Sequence, residues 1–322
     1  MNILIPDDYQ HAVAGLNCLG LLEGHRVRIL GDLARDPSAD EEIAAAEAIV
    51  PIRERTRIDA DFLRRAPRLK CISQTGKIAP HIDVAACTER GVAVLEGSGS
   101  PTAPAELTWA LILAAKRQIV TAANDLRHGR WQTTFGESVH GQTLGIWGYG
   151  KIGRMIAQFG RVFGMEVMIW GRDESRALAT RDGFATFSSR DALFESSDVL
   201  TIHLRLVAET AGAISAADFA RMKKSALFVN TSRAGLIARG ALEAALAAGR
   251  PGGAALDVFD DEPLYDPHHP LLSLPNVLCT PHIGYVERGS YELYFSKAFV
   301  NILAFAAGHP ANLVNPAVLE VR

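Results

Sequence analysis

Short apolar runs alternate with amphipathic segments along most of the chain. Runs of this length are typical of buried strands, and they lie at 3–5, 26–30, 48–51, 70–73, 92–95, 143–147, 166–170, 199–203, 227–230, 253–256 and 277–280. Segments between them, such as 40–47 and 59–66, place apolar residues at helical spacing. Strands that alternate with helices predict an α/β fold built on parallel sheets.

A glycine- and serine-rich segment, Gly97-Ser98-Gly99-Ser100-Pro101, divides this pattern in two. We predict one α/β domain from residues 1–100 and a doubly wound domain from residues 101–284. The second domain is predicted to begin with one long amphipathic helix at 102–128. The tail, 285–322, contains a helix at 290–308 that is too short to be a domain, so we expect it to pack on the N-terminal domain.

Composition narrows the class of protein. The chain has 322 residues, 48% of them apolar and 21% charged, with a formal net charge of −3, as in ordinary globular proteins. No dense basic stripe points to nucleic acid, no apolar stretch is long enough to span a bilayer, and the first residues lack the plan of a signal peptide. Four widely spaced cysteines predict reduced thiols and a cytoplasmic location. No histidine group has metal-ligand spacing.

A glycine loop is the first sign of chemistry. It follows the predicted strand at 143–147, opens a predicted helix at 151–163, and reads Gly148-Tyr149-Gly150-Lys151-Ile152-Gly153. In this context the three glycines permit a tight turn, close approach of a pyrophosphate, and close packing of helix on strand. The free N–H groups of the helix N-terminus would face the phosphates. The segment therefore predicts a nicotinamide dinucleotide site, whereas a glycine-rich turn without a ligand is the plain alternative.

The end of the next strand bears on the choice of cofactor. An NAD site usually has a carboxylate there to accept hydrogen bonds from the ribose, but this chain has Gly171-Arg172-Asp173. Because a guanidinium at Arg172 would bind a 2′-phosphate, the sequence favours NADP over NAD. Two alternatives stay open: Asp173 would read the ribose after a small backbone shift, and Arg172 would be a solvated surface charge.

Three later motifs carry a resemblance. They are Val229-Asn230-Thr231-Ser232-Arg233-Ala234-Gly235, Ala255-Leu256-Asp257-Val258-Phe259-Asp260-Asp261-Glu262-Pro263-Leu264 and Thr280-Pro281-His282-Ile283-Gly284. Together with the glycine loop, and in this order, they make the chain resemble the D-isomer-specific 2-hydroxyacid dehydrogenase family. The resemblance implies a Rossmann nucleotide domain at 101–284 and a flavodoxin-like substrate domain at 1–100 and 285–322, with the active site in the cleft.

The resemblance also implies catalytic roles, which fit the chemistry of the side chains. Arg233 would hold the carboxylate and carbonyl of a 2-keto acid with its guanidinium fork. His282 would be the acid/base that gives a proton to the new alkoxide. Glu262 would hydrogen-bond His282, orient its ring and favour its protonated form, and Asp257 would lie near the nicotinamide carboxamide. Taken alone, each would be an ordinary surface or loop residue.

Further binding residues follow from the same resemblance. Cofactor contacts are expected at Thr75, His203, Thr231, Ser232 and Gly284, although His203 would also fit a residue that merely lines the cleft. Backbone N–H groups at Gly76, Lys77 and Ile78 are expected to meet the substrate carboxylate. This loop departs from the family pattern by about two residues, and Arg205 stands where a proline is common. Both departures concern the identity of the substrate.

The predicted activity is reversible hydride transfer between the nicotinamide and C2 of a small 2-keto or 2-hydroxy acid. Two alternatives remain: a nucleotide-sensing, corepressor-like regulator on the same scaffold, and a phosphoglycerate dehydrogenase. The resemblance implies a homodimer, with the helix from Thr102 and the region through Trp131 as the expected contact.

Overall fold

Two parallel sheets carry the strands of this protein, five in one sheet and seven in the other. The computed structural model describes residues 1–321. One unit comprises residues 1–100 together with residues from 286 onward, and the other comprises Pro101–Tyr285. The assignment of substrate binding to the first unit and of cofactor binding to the second stays a prediction.

The first unit begins with a five-stranded sheet. Its strands are β1 (Asn2–Ile5), β2 (Arg26–Ile29), β3 (Ala48–Ile49), β4 (Cys71–Ser73) and β5 (Ala93–Leu95), and the helices between them are α1 (Ala39–Ala45), α2 (Ala60–Arg65) and α3 (Val84–Glu89). The spatial order is β2-β1-β3-β4-β5, the order of flavodoxin-like sheets. Strands β1, β3, β4 and β5 are mostly buried because helices and the returning chain cover them, whereas the edge strand β2 exposes Arg26 and Arg28.

The second unit holds the seven-stranded sheet. Its elements are α4 (Thr102–Lys116), α5 (Ile119–Arg127), β6 (Thr143–Trp147), α6 (Lys151–Val162), β7 (Glu166–Trp170), α7 (Asp173–Arg181), β8 (Ala185–Thr186), α8 (Arg190–Ser196), β9 (Val199–Ile202), α9 (Ala216–Arg221), β10 (Leu227–Asn230), α10 (Ala241–Ala247), β11 (Gly253–Leu256), α11 (Pro270–Ser273) and β12 (Val277–Cys279). The order is β12-β11-β10-β9-β6-β7-β8. Because β9 lies on one side of β6 and β7 on the other, this is the Rossmann arrangement with its switch point at β6.

Both faces of the larger sheet are covered along its central strands, which explains why β6, β9, β10 and β11 are mainly apolar. Along β10, Leu227 and Val229 pack with residues of α4 and α6, whereas Phe228 packs on the opposite face with residues of α8, α9 and α10. A period of two with both faces buried gives a continuous apolar run. The predicted fold class, two doubly wound parallel sheets, is confirmed.

The tail returns to the first unit. It forms α12 (Arg288–Ala306) and α13 (Val318–Val321). The Ser73 hydroxyl at the end of β4 donates a hydrogen bond to the Ala298 carbonyl of α12 at 2.8 Å. The Asn315 side chain accepts from the Val94 N–H of β5 at 2.8 Å.

The predicted single helix at 102–128 is wrong. The structure has two helices, α4 and α5, because Arg117 ends the first and Gln118 adopts a left-handed conformation with φ of +52°. A left-handed residue cannot continue a right-handed helix, so the chain changes direction there. The short edge strand β8 was also not expected from the sequence.

Two general features accompany this fold. The four cysteines are free thiols, three of them buried, as expected for reduced core residues; the compartment stays a prediction. None of the helices in the described part of the chain is long and apolar enough to cross a membrane.

Candidate active site

The predicted site residues of the second unit lie where its parallel strands end. The first residues after β6, β7, β9, β10, β11 and β12 are Gly148, Gly171, His203, Thr231, Asp257 and Thr280. Doubly wound sheets bind ligands at this carboxyl edge, next to the strand at which the order reverses. The fold therefore brings segments that are far apart in sequence to one edge.

The glycine loop is built as the sequence predicts. Gly148 has φ of +105°, and a Cβ added at Gly153 would lie 2.0 Å from the Gly148 carbonyl oxygen. The two residues therefore need glycine for the close packing of α6 on β6. By contrast, a Cβ at Gly150 would meet nothing within 4 Å. Open space beside Gly150, at the start of α6, is what a pyrophosphate requires.

The side chains of the glycine loop have different surroundings: two are packed inside the protein and one is exposed to solvent. Tyr149 is buried, packs against Phe184, and donates a hydrogen bond from its hydroxyl to Asp182 at 3.0 Å. Burial raises the pKa of Tyr149 to about 12. Ile152 packs against the core, and Lys151 is exposed. A cofactor at this loop would therefore meet the backbone of Tyr149 and not its ring.

The end of β7 adjoins the glycine loop. The Gly148 N–H donates to the Trp170 carbonyl at 2.9 Å, and a Cβ at Gly171 would lie 4.0 Å from the Gly148 nitrogen. Arg172 is exposed at the N-cap of α7. Asp173 is exposed and forms an ion pair with Arg176 at 2.5 Å.

His203 is fixed beneath the same loop. Its backbone N–H donates to the Trp147 carbonyl at 2.8 Å, and its Nε2 hydrogen-bonds Thr201 Oγ1 at 3.0 Å. Burial lowers the pKa of His203 to about 4. The ring is therefore neutral at physiological pH, and its carbonyl shapes the turn by lying 2.5 Å from a Cβ built at Gly148.

His282 and Glu262 form a pair. His282 Nδ1 lies 2.5 Å from Glu262 Oε2, and the other carboxylate oxygen accepts the Phe259 N–H at 2.9 Å. His282 has φ of +50°, a left-handed conformation that is rare for a residue with a side chain and that clusters at functional sites. The edge of the Tyr285 ring contacts the imidazole, with 5.4 Å between centroids.

Asp257 ties the end of β11 to the His282 loop. It is fully buried, and its carboxylate accepts from Thr280 Oγ1 at 2.6 Å and from the N–H groups of Ile283 and Gly284 at 2.8 Å. Burial raises the pKa of Asp257, against the lowering effect of these hydrogen bonds. The visible role of Asp257 is to hold the loop that carries His282. Its predicted contact with the nicotinamide stays a prediction.

Arg233 follows β10 on a turn fixed by its neighbours. The Asn230 side chain donates to the Arg233 carbonyl at 3.0 Å and accepts the Ser232 N–H at 2.9 Å. The Ser232 hydroxyl donates to the Ile202 carbonyl at 2.8 Å, and the Thr231 hydroxyl lies 2.7 Å from that of Thr108. The hydroxyls of Ser232 and Thr231 thus hold the turn. The Arg233 side chain is half-buried, and its Nη1 donates a hydrogen bond to the Ser232 carbonyl at 2.6 Å.

The predicted substrate loop lies in the first unit, after β4. Thr75 is buried, and its hydroxyl accepts the Arg53 N–H and donates to the Pro51 carbonyl. The Gly76 N–H donates to the Gln74 carbonyl at 2.9 Å, the Ile78 N–H lies 3.5 Å from Glu96, and Lys77 forms an ion pair with Glu96. The loop is therefore ordered, and the positive charge of Lys77 is matched by a carboxylate.

Comparison with known proteins identifies the family of this chain. Residues 109–284 match the model of a protein family described as D-isomer specific 2-hydroxyacid dehydrogenase, NAD binding domain. The chain belongs to this family. The predicted family is confirmed, and with it the use of NAD(H) by this dehydrogenase.

Several relatives can be aligned with most of this chain. A glyoxylate reductase of Aeropyrum pernix is 40% identical over 277 residues, which are 83% of this chain and 82% of the relative. A D-3-phosphoglycerate dehydrogenase of Archaeoglobus fulgidus is 37% identical over 87% of this chain and 53% of its own. A phosphoglycerate oxidoreductase of Vibrio cholerae, of known structure, is 49% identical, covers 96% of this chain and 99% of its own, and has a TM-score of 0.92.

The reaction class follows from the family. This dehydrogenase is an NAD-dependent oxidoreductase that acts on CH–OH donors and interconverts 2-hydroxy acids and 2-keto acids. The predicted enzyme class is therefore confirmed, and the corepressor-like alternative is not needed to explain the chain.

Three residues next to predicted site residues, two in the second unit and one in the first, were not expected from the sequence. Phe259 holds Glu262 through its backbone, and Tyr285 contacts the His282 ring, but neither contact has a sequence signal because both depend on loop conformation. Arg53 places its guanidinium beside the Gly76 loop, 2.1 Å from a Cβ built at Gly76. Its position just after the predicted strand at 48–51 would have been a usable signal, since polar residues past strand ends line ligand sites.

Proposed function

We propose that His282 is the acid/base of this dehydrogenase and that Glu262 orients it. The observation that carries the proposal is the 2.5 Å contact between His282 Nδ1 and Glu262 Oε2, with the second oxygen fixed by the Phe259 N–H. Because Nδ1 faces the carboxylate, Nε2 is the ring atom left for the substrate. It donates a proton to the alkoxide oxygen in reduction and removes that proton in oxidation.

Arg233 is the proposed substrate anchor. It follows β10, and the segment with His282 follows β12, while β11 lies between these two strands. A guanidinium at this edge offers a fork of N–H groups to a carboxylate and to the adjacent carbonyl oxygen. It therefore binds the 2-keto acid and stabilises the negative charge that grows on the carbonyl oxygen.

The residues of the second unit fit a dinucleotide. The open space beside Gly150 and the close contact of Gly148 with Gly153 form the cradle. When bound, the nicotinamide supplies or accepts the hydride. The chain's own part is to hold the pyrophosphate with the backbone N–H groups at the start of α6 and to keep the loop rigid through His203 and Trp170.

Two glycine substitutions should separate binding from folding. Gly150→Ala adds a methyl group in open space, so the melting temperature should stay within about 2 °C of wild type while dinucleotide affinity falls. Gly153→Ala drives a methyl group into the Gly148 carbonyl, which should cost about 1–3 kcal/mol of stability. Thermal melting and fluorescence titration with a reduced cofactor measure the two effects. Unchanged cofactor affinity in Gly150→Ala would place the pyrophosphate elsewhere.

We further propose that NADP(H) is preferred over NAD(H). Gly171 stands where an NAD site usually has a carboxylate, Arg172 is exposed next to it, and Asp173 is engaged by Arg176. A 2′-phosphate would therefore meet the Arg172 guanidinium at the position where an NAD site usually presents a carboxylate. Charge-assisted contacts of this kind are worth about tenfold or more in affinity.

The proposed substrates are small 2-keto acids, of which glyoxylate and hydroxypyruvate are the leading candidates. Several relatives that cover most of the chain are named glyoxylate reductase. Oxidation of 3-phosphoglycerate is the second candidate. It is supported by the relatives named for that activity and by the Arg53 guanidinium beside the Gly76 loop, which would suit an acid with a second anionic group.

A substrate and cofactor panel tests these proposals together. Purified protein is assayed with glyoxylate, hydroxypyruvate, pyruvate and bulkier keto acids against NADPH and NADH, and with 3-phosphoglycerate against both oxidised cofactors. We expect glyoxylate or hydroxypyruvate with NADPH to give the highest kcat/KM. Pyruvate should be lower by about tenfold or more, because its methyl group is larger than the hydrogen of glyoxylate and lacks the hydroxyl of hydroxypyruvate. Tighter binding of NADH would remove the NADP preference. A higher kcat/KM with 3-phosphoglycerate would replace the first candidate by the second.

The proposed homodimer uses the face of α5 and the segment after it. No residue of α5 is buried, and Trp131 and Phe135 are 75% and 95% exposed beside a groove of about 480 Å³. Large exposed apolar side chains mark interaction surfaces. Light scattering should give twice the monomer mass for wild type and the monomer mass for Trp131→Arg with Phe135→Ser. A monomeric wild type at micromolar concentration would refute the proposal.

A further inference from the structure

The first turn of α7 holds a second guanidinium beside the proposed cofactor-specificity residue. Arg176 lies over the ring of Trp170, the last residue of β7, with 4.8 Å between the guanidinium carbon and the ring centroid. Stacking on an aromatic ring fixes the plane of a guanidinium. The guanidinium is thereby held at the end of β7, where the cofactor's ribose is read in this fold.

Arg176 has an intramolecular counter-ion. Its Nη2 lies 2.5 Å from Asp173 Oδ1. The Asp173 side chain is 94% exposed and that of Arg176 is 32% exposed. An ion pair this open to water contributes little to stability, so a stronger anion can displace the carboxylate at low cost.

Gly171, Arg172 and Arg176 all lie at the junction of β7 and α7. A Cβ built at Gly171 would lie 3.3 Å from Ser175 Cβ and 4.0 Å from the Gly148 nitrogen, so Gly171 lies between the glycine loop and α7. Arg172 lies on one side as the N-cap of α7, and Arg176 lies one turn further along. The acidic groups on the same turn are Asp173 and Glu174, and they oppose an incoming phosphate.

We propose that Arg176 is a second ligand for the 2′-phosphate of NADP(H), and that Asp173 is an internal competitor that holds this guanidinium when no phosphate is bound. The inference rests on the proposed NADP preference and extends it from Arg172 to an exchange of partners on α7. A phosphate, with more charge and three acceptor oxygens, replaces one carboxylate oxygen at Arg176. Asp173 therefore sets how strongly the site selects the phosphorylated cofactor.

Binding of adenosine fragments tests the proposal without catalysis. Adenosine 2′,5′-bisphosphate and 5′-AMP are titrated calorimetrically into the full chain. Arg176→Met keeps the apolar stem on Trp170 and removes the charge, and it should weaken the bisphosphate by about tenfold or more with 5′-AMP unchanged. Asp173→Asn should tighten the bisphosphate several-fold. Arg181→Ala, which removes an exposed charge from the last turn of the same helix, is the matched control and should change neither affinity.

The outcomes separate this inference from the proposal beneath it. If Arg172→Ala weakens the bisphosphate but Arg176→Met does not, the NADP preference stands and the role of Arg176 is refuted. If wild type binds both fragments equally and Arg172→Ala changes neither, the NADP preference itself fails. Weaker binding of 5′-AMP by Asp173→Asn would show that Asp173 reads the ribose hydroxyls, which overturns its role as competitor. Thermal melting of each variant identifies any that fail to fold.

Discussion

Replacing His282 by alanine is expected to lower kcat by about 10²- to 10⁴-fold, the range that general acid–base catalysis contributes. In the proposed mechanism the imidazole exchanges the proton with the substrate oxygen, and Glu262, 2.5 Å from Nδ1, orients the ring. Reduction without this proton donor would leave an alkoxide that only water protonates. Steady-state rates with the best keto acid of the panel measure the loss.

The binding steps should survive this change. His282 contacts Glu262 and Tyr285, neither of which belongs to the glycine loop, so fluorescence titration should give the wild-type affinity for the reduced cofactor. His268→Ala is the matched control, because His268 is an exposed histidine of the same unit. It should leave kcat unchanged. A His282→Ala variant with near-wild-type turnover would refute the assignment of the acid/base.

Glu262→Gln should cost less than the loss of the histidine. The amide keeps an oxygen for the Phe259 N–H and keeps the size of the side chain, but it removes the charge that stabilises the imidazolium. We expect a kcat between those of wild type and His282→Ala. The comparison separates the orienting part of the pair from the proton transfer itself.

The layout of the site was predictable because strand ends can be located from the sequence. The apolar run at 227–230 and the Gly148-x-Gly150-x-x-Gly153 loop fix where the chain leaves the sheet, and parallel strands leave it at one edge. The polar residues that follow those runs, such as Arg233 and Asp257, had to lie along that edge. No long-range contact needs to be known for this step.

Other features depend on loop conformation and on partners distant in sequence. The left-handed Gln118 that separates α4 from α5 has ordinary helical neighbours, so periodicity continues across it. The sequence did not indicate that the Asp257 carboxylate accepts hydrogen bonds from the N–H groups of Ile283 and Gly284; its predicted contact with the nicotinamide stays a prediction. Nor did it indicate that the Thr75 hydroxyl accepts from the Arg53 N–H and donates to the Pro51 carbonyl; the predicted contact of Thr75 with the cofactor also stays a prediction. A sequence pattern indicates which residues reach the edge, not which of their atoms are already engaged.

Replacing Arg233 by alanine is expected to lower kcat/KM for the keto acid by about 10²- to 10³-fold, the cost of removing one preorganised donor from a developing oxyanion. The substrate carboxylate loses its anchor at the same time, so KM should rise while kcat falls. Arg233→Lys keeps the charge but not the fork, and it should restore only part of the loss. Steady-state kinetics over a range of keto acid concentrations separate the two parameters.

The Arg233 variants need a control for charge and for fold. Arg239 lies in the same unit, and its side chain is 85% exposed. Its ion pair with Asp261 is long, at 3.8 Å. Arg239→Ala removes the same charge close by in sequence and should leave kcat/KM within about twofold, because exposed ion pairs contribute little. Cofactor affinity should be unchanged in all three variants, since none of the changed side chains belongs to the glycine loop. If Arg233→Lys were as active as wild type, a point charge would suffice and bidentate binding of the keto acid would be wrong; if Arg233→Ala were as active, Arg233 would not be the anchor.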